Sequence, residues 1–169
     1  MSNLFYRNER DYKVRLQECR KSHPFDIAPF ILFGVKGFAD ELAGINNFVK
    51  TKVNRVVYRQ MLVSNYNRRV GPRRRQLNLR EYQLLLFLLN ATEPLDPFAK
   101  NPSRQIELAE LQESSYVKTA YRDVTPRTFV RELVRLADLG FLKFANGSQA
   151  PRAMKVELDF GAIARYPVY

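Results

Sequence analysis

The segment from Thr125 to Gly140 constrains this chain more than any other, because it specifies both of its own ends. Thr125 suits an N-cap and Pro126 suits the first helical position, where a missing N–H costs nothing. Gly140 suits the left-handed position just past a C-terminus. The spacing predicts a helix over 126–139. At about 100° per residue, Phe129, Val130, Leu133, Val134, Leu136 and Ala137 share one arc of roughly 160°. Arg127, Arg131 and Arg135 form a row on the opposite arc, each about 40° from the last. Leu139 alone breaks the pattern. Such a helix lays one side on a core and holds a line of guanidinium groups away from it. Glu132 and Asp138 flank the arginines, with Asp138 in reach of Arg135. Phe141 to Phe144 then alternates as a short strand and Asn146-Gly147 is a hairpin turn signal. Ala153 to Leu158 returns as a second strand, with Met154, Val156 and Leu158 on one face.

Upstream, Asn78 followed three residues later by Glu81 predicts a capping box and a helix from Leu79. Leu84 to Leu89 surrounds that helix with apolar side chains, so it must be buried on several sides and tie the N-terminal part to the rest. Pro94, Pro97 and Pro102 predict a loop over 92–104. Ile106 reads as a short strand, Glu107 to Glu113 as a short helix, and Ser114 to Val124 as a connection. Nearer the start, Phe5, Tyr12, Leu16 and Cys19 predict a helix over 4–21, ended by His23-Pro24. Phe38 to Ala43 reads as a short buried helix. Ile45 to Leu62 reads as a separate amphipathic helix, although its valines leave a strand open. Gly71-Pro72 inside a basic run reads as a turn or linker. It divides the chain into a basic helical part over 1–76 and a second part over 77–169. The fold class is mainly α with a small β-hairpin.

Composition narrows the function. The chain has 169 residues, 46% of them hydrophobic, and a net charge of +11. That is too apolar for a disordered basic tail and basic enough to predict a polyanionic partner. The charge is local: residues 1–80 hold 17 Lys/Arg against 6 Asp/Glu, whereas residues 81–169 hold 11 of each. Arg68, Arg69, Arg73, Arg74 and Arg75 form the densest run, and Lys50, Lys52, Arg55 and Arg59 extend its field. These cations suit phosphates or a narrow minor groove; a solvated linker or a localisation signal is the alternative. One Cys and one His leave no disulfide framework and almost nothing for a zinc site. No Gly-rich phosphate loop, nucleophile motif or carboxylate cluster is present, so the sequence predicts no enzyme, no metal and no cofactor. The longest apolar runs fall far short of the ~20 residues of a membrane span. No apolar signal segment follows the N-terminus, and the expected location is cytoplasmic, at the nucleoid. The aromatics Phe5, Tyr6, Tyr12, Phe25, Phe30, Phe33 and Phe38 read as core or a dimer interface, with stacking on single strands as the alternative. Tyr116 and Tyr121 beside Lys118 and Arg122 are a candidate nucleic-acid loop.

Buried helix, loop, short strand, short helix, capped basic helix and β-hairpin, in that order, resemble the winged helix-turn-helix superfamily over about residues 78–160. The stretch Leu133-Val134-Arg135-Leu136-Ala137-Asp138-Leu139-Gly140-Phe141-Leu142 is similar to that family's passage from recognition helix into wing. Leu77-Asn78-Leu79-Arg80-Glu81 and the leucine run also resemble the first winged-helix domain of plasmid replication initiators. Ser114 to Val124 departs from the pattern, being longer than a tight helix-turn-helix turn. The resemblance implies a winged-helix domain over 77–169 with helix 126–139 in the major groove of double-stranded DNA. Arg127, Thr128 and Arg131 would then approach base edges, Arg135 would lie nearer phosphate, and Arg152 and Lys155 in the wing would touch backbone. It implies a transcriptional regulator, or a replication or partition protein, that works as a homodimer. The alternative is a non-catalytic subunit of a larger nucleoprotein assembly, with the winged helix on protein and the basic half holding RNA or DNA without sequence preference.

Overall fold

The computed structural model describes residues 4–22, 24–70, 75–97, 105–145 and 154–166. The described chain is mainly helical, with one small antiparallel sheet. It divides into two compact units. The first comprises the described residues of Met1–Val49 with Asp96 and Pro97, and the second those of Lys50–Leu95 and Asn101–Tyr169. Residues 50–70, 75 and 76, which the sequence groups with the N-terminal part, therefore fall in the second unit. The reason is packing: Tyr58, Met61 and Leu62 are fully buried in that unit's core. Gly71 to Arg74, where the sequence puts the boundary, lie outside the described residues.

In the first unit, α1 (Leu4–Arg7) and α2 (Glu9–Lys21) replace the single helix expected over 4–21, with Asn8 between them. They pack on the start of α3 (Ala28–Asn67) through Phe5 against Phe33 and Tyr12 against Phe30, ring centroids 6.5 and 5.7 Å apart. The long α3 overturns two expectations: 38–43 is no separate buried helix, and 45–62 is no separate helix either. Gly34, Gly37 and Gly44 lie inside it, and a glycine costs a helix only about 1 kcal/mol, too little to end one bonded on both sides. Phe38 is exposed, not buried.

The second unit holds almost all of the core. Here α4 (Leu79–Ala91) begins at the expected capping box: Asn78 Oδ1 accepts from the Glu81 amide at 2.8 Å, and Glu81 Oε2 accepts from the Asn78 amide at 2.9 Å. Leu84, Leu85, Leu88 and Leu89 are buried, in one cluster with Tyr58, Met61 and Leu62 of α3. Next come β1 (Ile106–Glu107), α5 (Leu108–Glu113) and α6 (Ser115–Ala120). The sequence reading missed α6, taking 114–124 as a connection. Ser114 in fact caps it, its Oγ accepting from the Val117 amide at 3.3 Å.

Then α7 (Pro126–Asp138) leads into β2 (Leu142–Ala145), β3 (Lys155–Leu158) and α8 (Ala162–Arg165). Gly140 has φ +74°, its amide bonding to Ala137 O and that of Phe141 to Leu136 O. These two bonds form a Schellman stop, with buried Phe141 and Leu136 as its apolar contact. The sheet order is β1-β3-β2, all antiparallel, with Val156 between Ile106 and Phe144. Val156 and Leu158 are buried and Met154 is half-buried beside them, as the alternation predicts. The Asn146-Gly147 turn signal lies outside the described residues.

Candidate nucleic-acid interface

Helix α7 supplies the row of arginines, but tertiary contacts divide it. Arg127 and Arg131 are exposed, and among the described residues neither has a hydrogen bond or ion pair. Arg135 is different. Its Nη1 pairs with Glu81 Oε1, and its Nη2 donates to the backbone carbonyl of Gln76 at 3.0 Å. Glu81 is fully buried while belonging to the capping box of α4, so Arg135 neutralises a carboxylate that the helix start has already desolvated. Arg135 thus joins α7 to the N-terminus of α4, and Asp138 is not its partner.

The same helix inverts part of the predicted arc. Glu132 is buried, whereas Val130 and Val134, expected inside, are exposed. Arg80 donates through Nε and Nη2 to the Glu132 carboxylate, and the Tyr121 hydroxyl donates to Glu132 Oε2 at 2.7 Å. The Arg80 guanidinium also lies over the Tyr121 ring, 5.1 Å from its centroid. The bond to Glu132 raises the Arg80 pKa, so Arg80 stays charged; burial, reinforced by Glu132, pushes the Tyr121 hydroxyl far up. Tyr121 and Tyr116 are therefore packed side chains and not members of an exposed loop. Tyr121 is a core donor and Tyr116 stacks on Phe87 at 4.8 Å. What α7 leaves outside is a stripe of Arg127, Val130, Arg131 and Val134, with half-buried Thr128 beside it. The Thr128 hydroxyl lies 3.1 Å from that of Thr125, which holds the N-cap position without bonding a backbone amide.

The arginine run is a closed loop at its base. Past α3, Arg69 pairs with Arg75 in an antiparallel bridge, and the Gln76 amide donates to Arg68 O at 3.2 Å. Arg75 is stacked over the Tyr66 ring, 4.6 Å from its centroid. Arg68, Arg69 and Arg75 are exposed; Arg73 and Arg74 lie outside the described residues. The loop base and the end of α7 line one open depression of about 510 Å³, walled by Arg68, Arg69, Arg75, Arg135, Leu139 and Tyr166. Because Arg135 touches Gln76, the α7 row leads directly to the loop. The fold thereby assembles two basic features that lie some 60 residues apart in sequence.

The cations on α3 behave otherwise. Lys52 pairs with Glu93 at 2.6 Å, Arg55 donates to Thr92 Oγ1 at 3.3 Å, and Arg59 donates to Asn90 Oδ1 at 2.9 Å. All three partners lie at the C-terminal end of α4, where carbonyls and the helix dipole attract cations. Arg55 is buried, and that burial lowers its pKa. Of this group only Lys52 meets an anion; Arg55 and Arg59 bond neutral groups and keep their charge, and Lys50 is exposed without a partner among the described residues. In the sheet, Lys155 is exposed beside Glu107 and Ala145, while Arg152 lies outside the described residues.

Sequence reasoning missed Arg80, Glu81 and Glu132 as members of buried ion pairs. The Asn78–Glu81 box marked Glu81 as useful locally, but nothing local marked its second partner. No group of three or more potential metal ligands occurs among the described residues, and no described helix is long and apolar enough to cross a membrane. Compared with known proteins, the chain matches no family model, no curated protein and no solved structure.

Proposed function

We propose that this chain is a non-catalytic, winged-helix DNA-binding protein, with transcriptional regulation as its role and replication or partition as the nearest variant. One observation carries the reading. The exposed face of α7 bears Arg127 and Arg131, unpaired among the described residues, and leads through Arg135 to the base of the arginine loop, giving one basic surface on the second unit. The element order α4-β1-α5-α6-α7-β2-β3 and the sheet order β1-β3-β2 support a winged-helix reading. The helix α6 narrows the connection before α7 from Ser114–Val124 to Tyr121–Thr125, which favours the reading.

In this reading Arg127 and Arg131 donate to base edges, where a bidentate contact to guanine gives ~1–3 kcal/mol of discrimination. Val130 and Val134 lie beside them and suit thymine methyl groups. Arg68, Arg69 and Arg75 neutralise phosphates, and Lys155 touches backbone from the wing. Arg135 acts as a strut that fixes the loop against α7. Thr128 contributes less than Arg131, its hydroxyl being engaged with Thr125. The same exposed valines favour a second reading, in which α7 docks on protein inside a nucleoprotein assembly.

Selection from a random duplex library at near-physiological salt, with single-stranded RNA as competitor, tests the proposal. An enriched motif that Arg131→Ala relaxes is the expected result. Retention of both pools without enrichment overturns it in favour of the assembly subunit.

A further inference from the structure

The first unit keeps one side of its long helix unpartnered. Phe30 and Phe33 of α3 face α2 and α1, whereas Ile31, Val35, Phe38, Leu42, Ile45 and Val49 are between 42% and 61% exposed. Their spacing alternates four and three, a coiled-coil seam with Val35, Leu42 and Val49 at one core position and Ile31, Phe38 and Ile45 at the other. The seven-residue step continues in sequence to Val56 and Val63, which are also exposed. The other core position does not continue, because Lys52 and Arg59 follow Ile45 at that step, so the two-position seam runs from Ile31 to Val49. The six side chains together expose on the order of 500 Å², at the upper end of what a monomer leaves in one apolar patch.

We infer that this stripe of α3 is the dimer interface, occupied by the same stripe of a second copy of this chain. Three features select that occupant. A 3.5-residue seam can be followed over several turns only by another helix of the same period, and this chain carries one of matching length. Pairing the stripe with its copy would bury on the order of 1,000 Å² in total, the size at which a specific interface begins. Charge decides between a copy and other surfaces. A chain of net charge +11 repels its twin over most of its surface, but along the seam the flanking positions Leu32, Ala39 and Asn46 on one side and Gly34 and Phe48 on the other are uncharged, and the single charge among them, Glu41, is negative. A lipid surface is disfavoured, because a helix lying on a membrane presents Lys and Arg on its other face. Here that other face is packed on α1 and α2.

The test needs no nucleic acid, so its outcome is separate from that of the DNA-binding reading. Sedimentation equilibrium of the full chain across micromolar concentrations should give a dimer. Leu42→Glu should weaken dimerisation at least tenfold with helical circular dichroism unchanged, since Leu42 is exposed in the single chain. Leu42→Ser should weaken it less, and covers the case in which the charged variant does not fold. Lys36→Glu, exposed on the same helix but off the seam, should leave the dimer intact. A wild-type monomer at every concentration overturns the inference, whether or not it floats with anionic vesicles. So does a dimer that survives both Leu42 substitutions.

Discussion

The two units use the same residue types to opposite ends. In the second, Leu84, Leu85, Leu88, Leu133, Leu136 and Phe141 are nearly inaccessible and form one cluster. In the first, Cys19 is the sole buried hydrophobic core residue among those described, while Phe25, Ile27, Ile31, Leu32, Val35 and Phe38 are exposed. Apolar area stabilises a fold only when it leaves water, at roughly 25 cal/mol per Å². The second unit therefore carries its own stability, and the first has apolar surface in reserve for a partner. The contrast extends to charge. The second unit encloses carboxylates, Glu81 and Glu132, only where arginines reach them, whereas the first carries the exposed pairs Lys13–Glu9 and Arg15–Glu18.

The largest effect should come from breaking a buried network in the second unit. Glu132→Ala leaves Arg80 and the Tyr121 hydroxyl without their acceptor inside the core, and should cost about 3 kcal/mol in chemical denaturation. Leu85→Ala should fall in the same range, about 2–5 kcal/mol. If both substitutions cost less than Leu42→Glu measured on dilute monomer, the contrast between the units fails. Gly140→Val comes next. It forces a β-branched residue into φ +74° with its Cβ against the Arg165 guanidinium, which must move. The backbone strain alone costs about 1–2 kcal/mol, readable as a lowered Tm.

Arg127→Ala and Arg131→Ala should leave Tm unchanged while relaxing sequence preference in DNA selection, because neither side chain has a partner to lose among the described residues. Arg69→Ala should instead flatten the salt dependence of binding by about one unit on every sequence. The smallest effect concerns Glu93. The hydrogen bond and charge of Lys52 hold its carboxyl below its ordinary value. A depressed carboxylate contributes stability above its unfolded pKa and loses it as pH falls through the folded one. The Tm gap between wild type and Glu93→Gln should therefore be small at neutral pH and close in acid. A gap that widens in acid reverses that sign.

Local chemistry made much of the fold legible. The Asn78–Glu81 box, Pro126 at the first turn and Gly140 past the last turn act through neighbours within five residues, and all three occur where the sequence places them. So do the short strand at Ile106 and the hairpin strands, whose alternation matches the pleat. Helix α3 was misread for the converse reason. Its glycines and valines are weak local signals, and a helix spanning 28–67 is held by packing and cooperativity rather than by propensity.

The candidate site shows the same boundary within a single helix. Sequence by itself determined that α7 is a helix, where it starts and stops, and that Arg127, Arg131 and Arg135 share a side, because rise and turn are properties of the backbone. Tertiary structure alone decided which arginines remain free. Arg135 meets Glu81 and Gln76, Glu132 turns inward to Arg80, and Val130 and Val134 turn outward. Periodicity tells which residues lie together on a helix, but the cost of burying an unpaired charge depends on residues about 50 positions away, and only the folded chain brings those within reach.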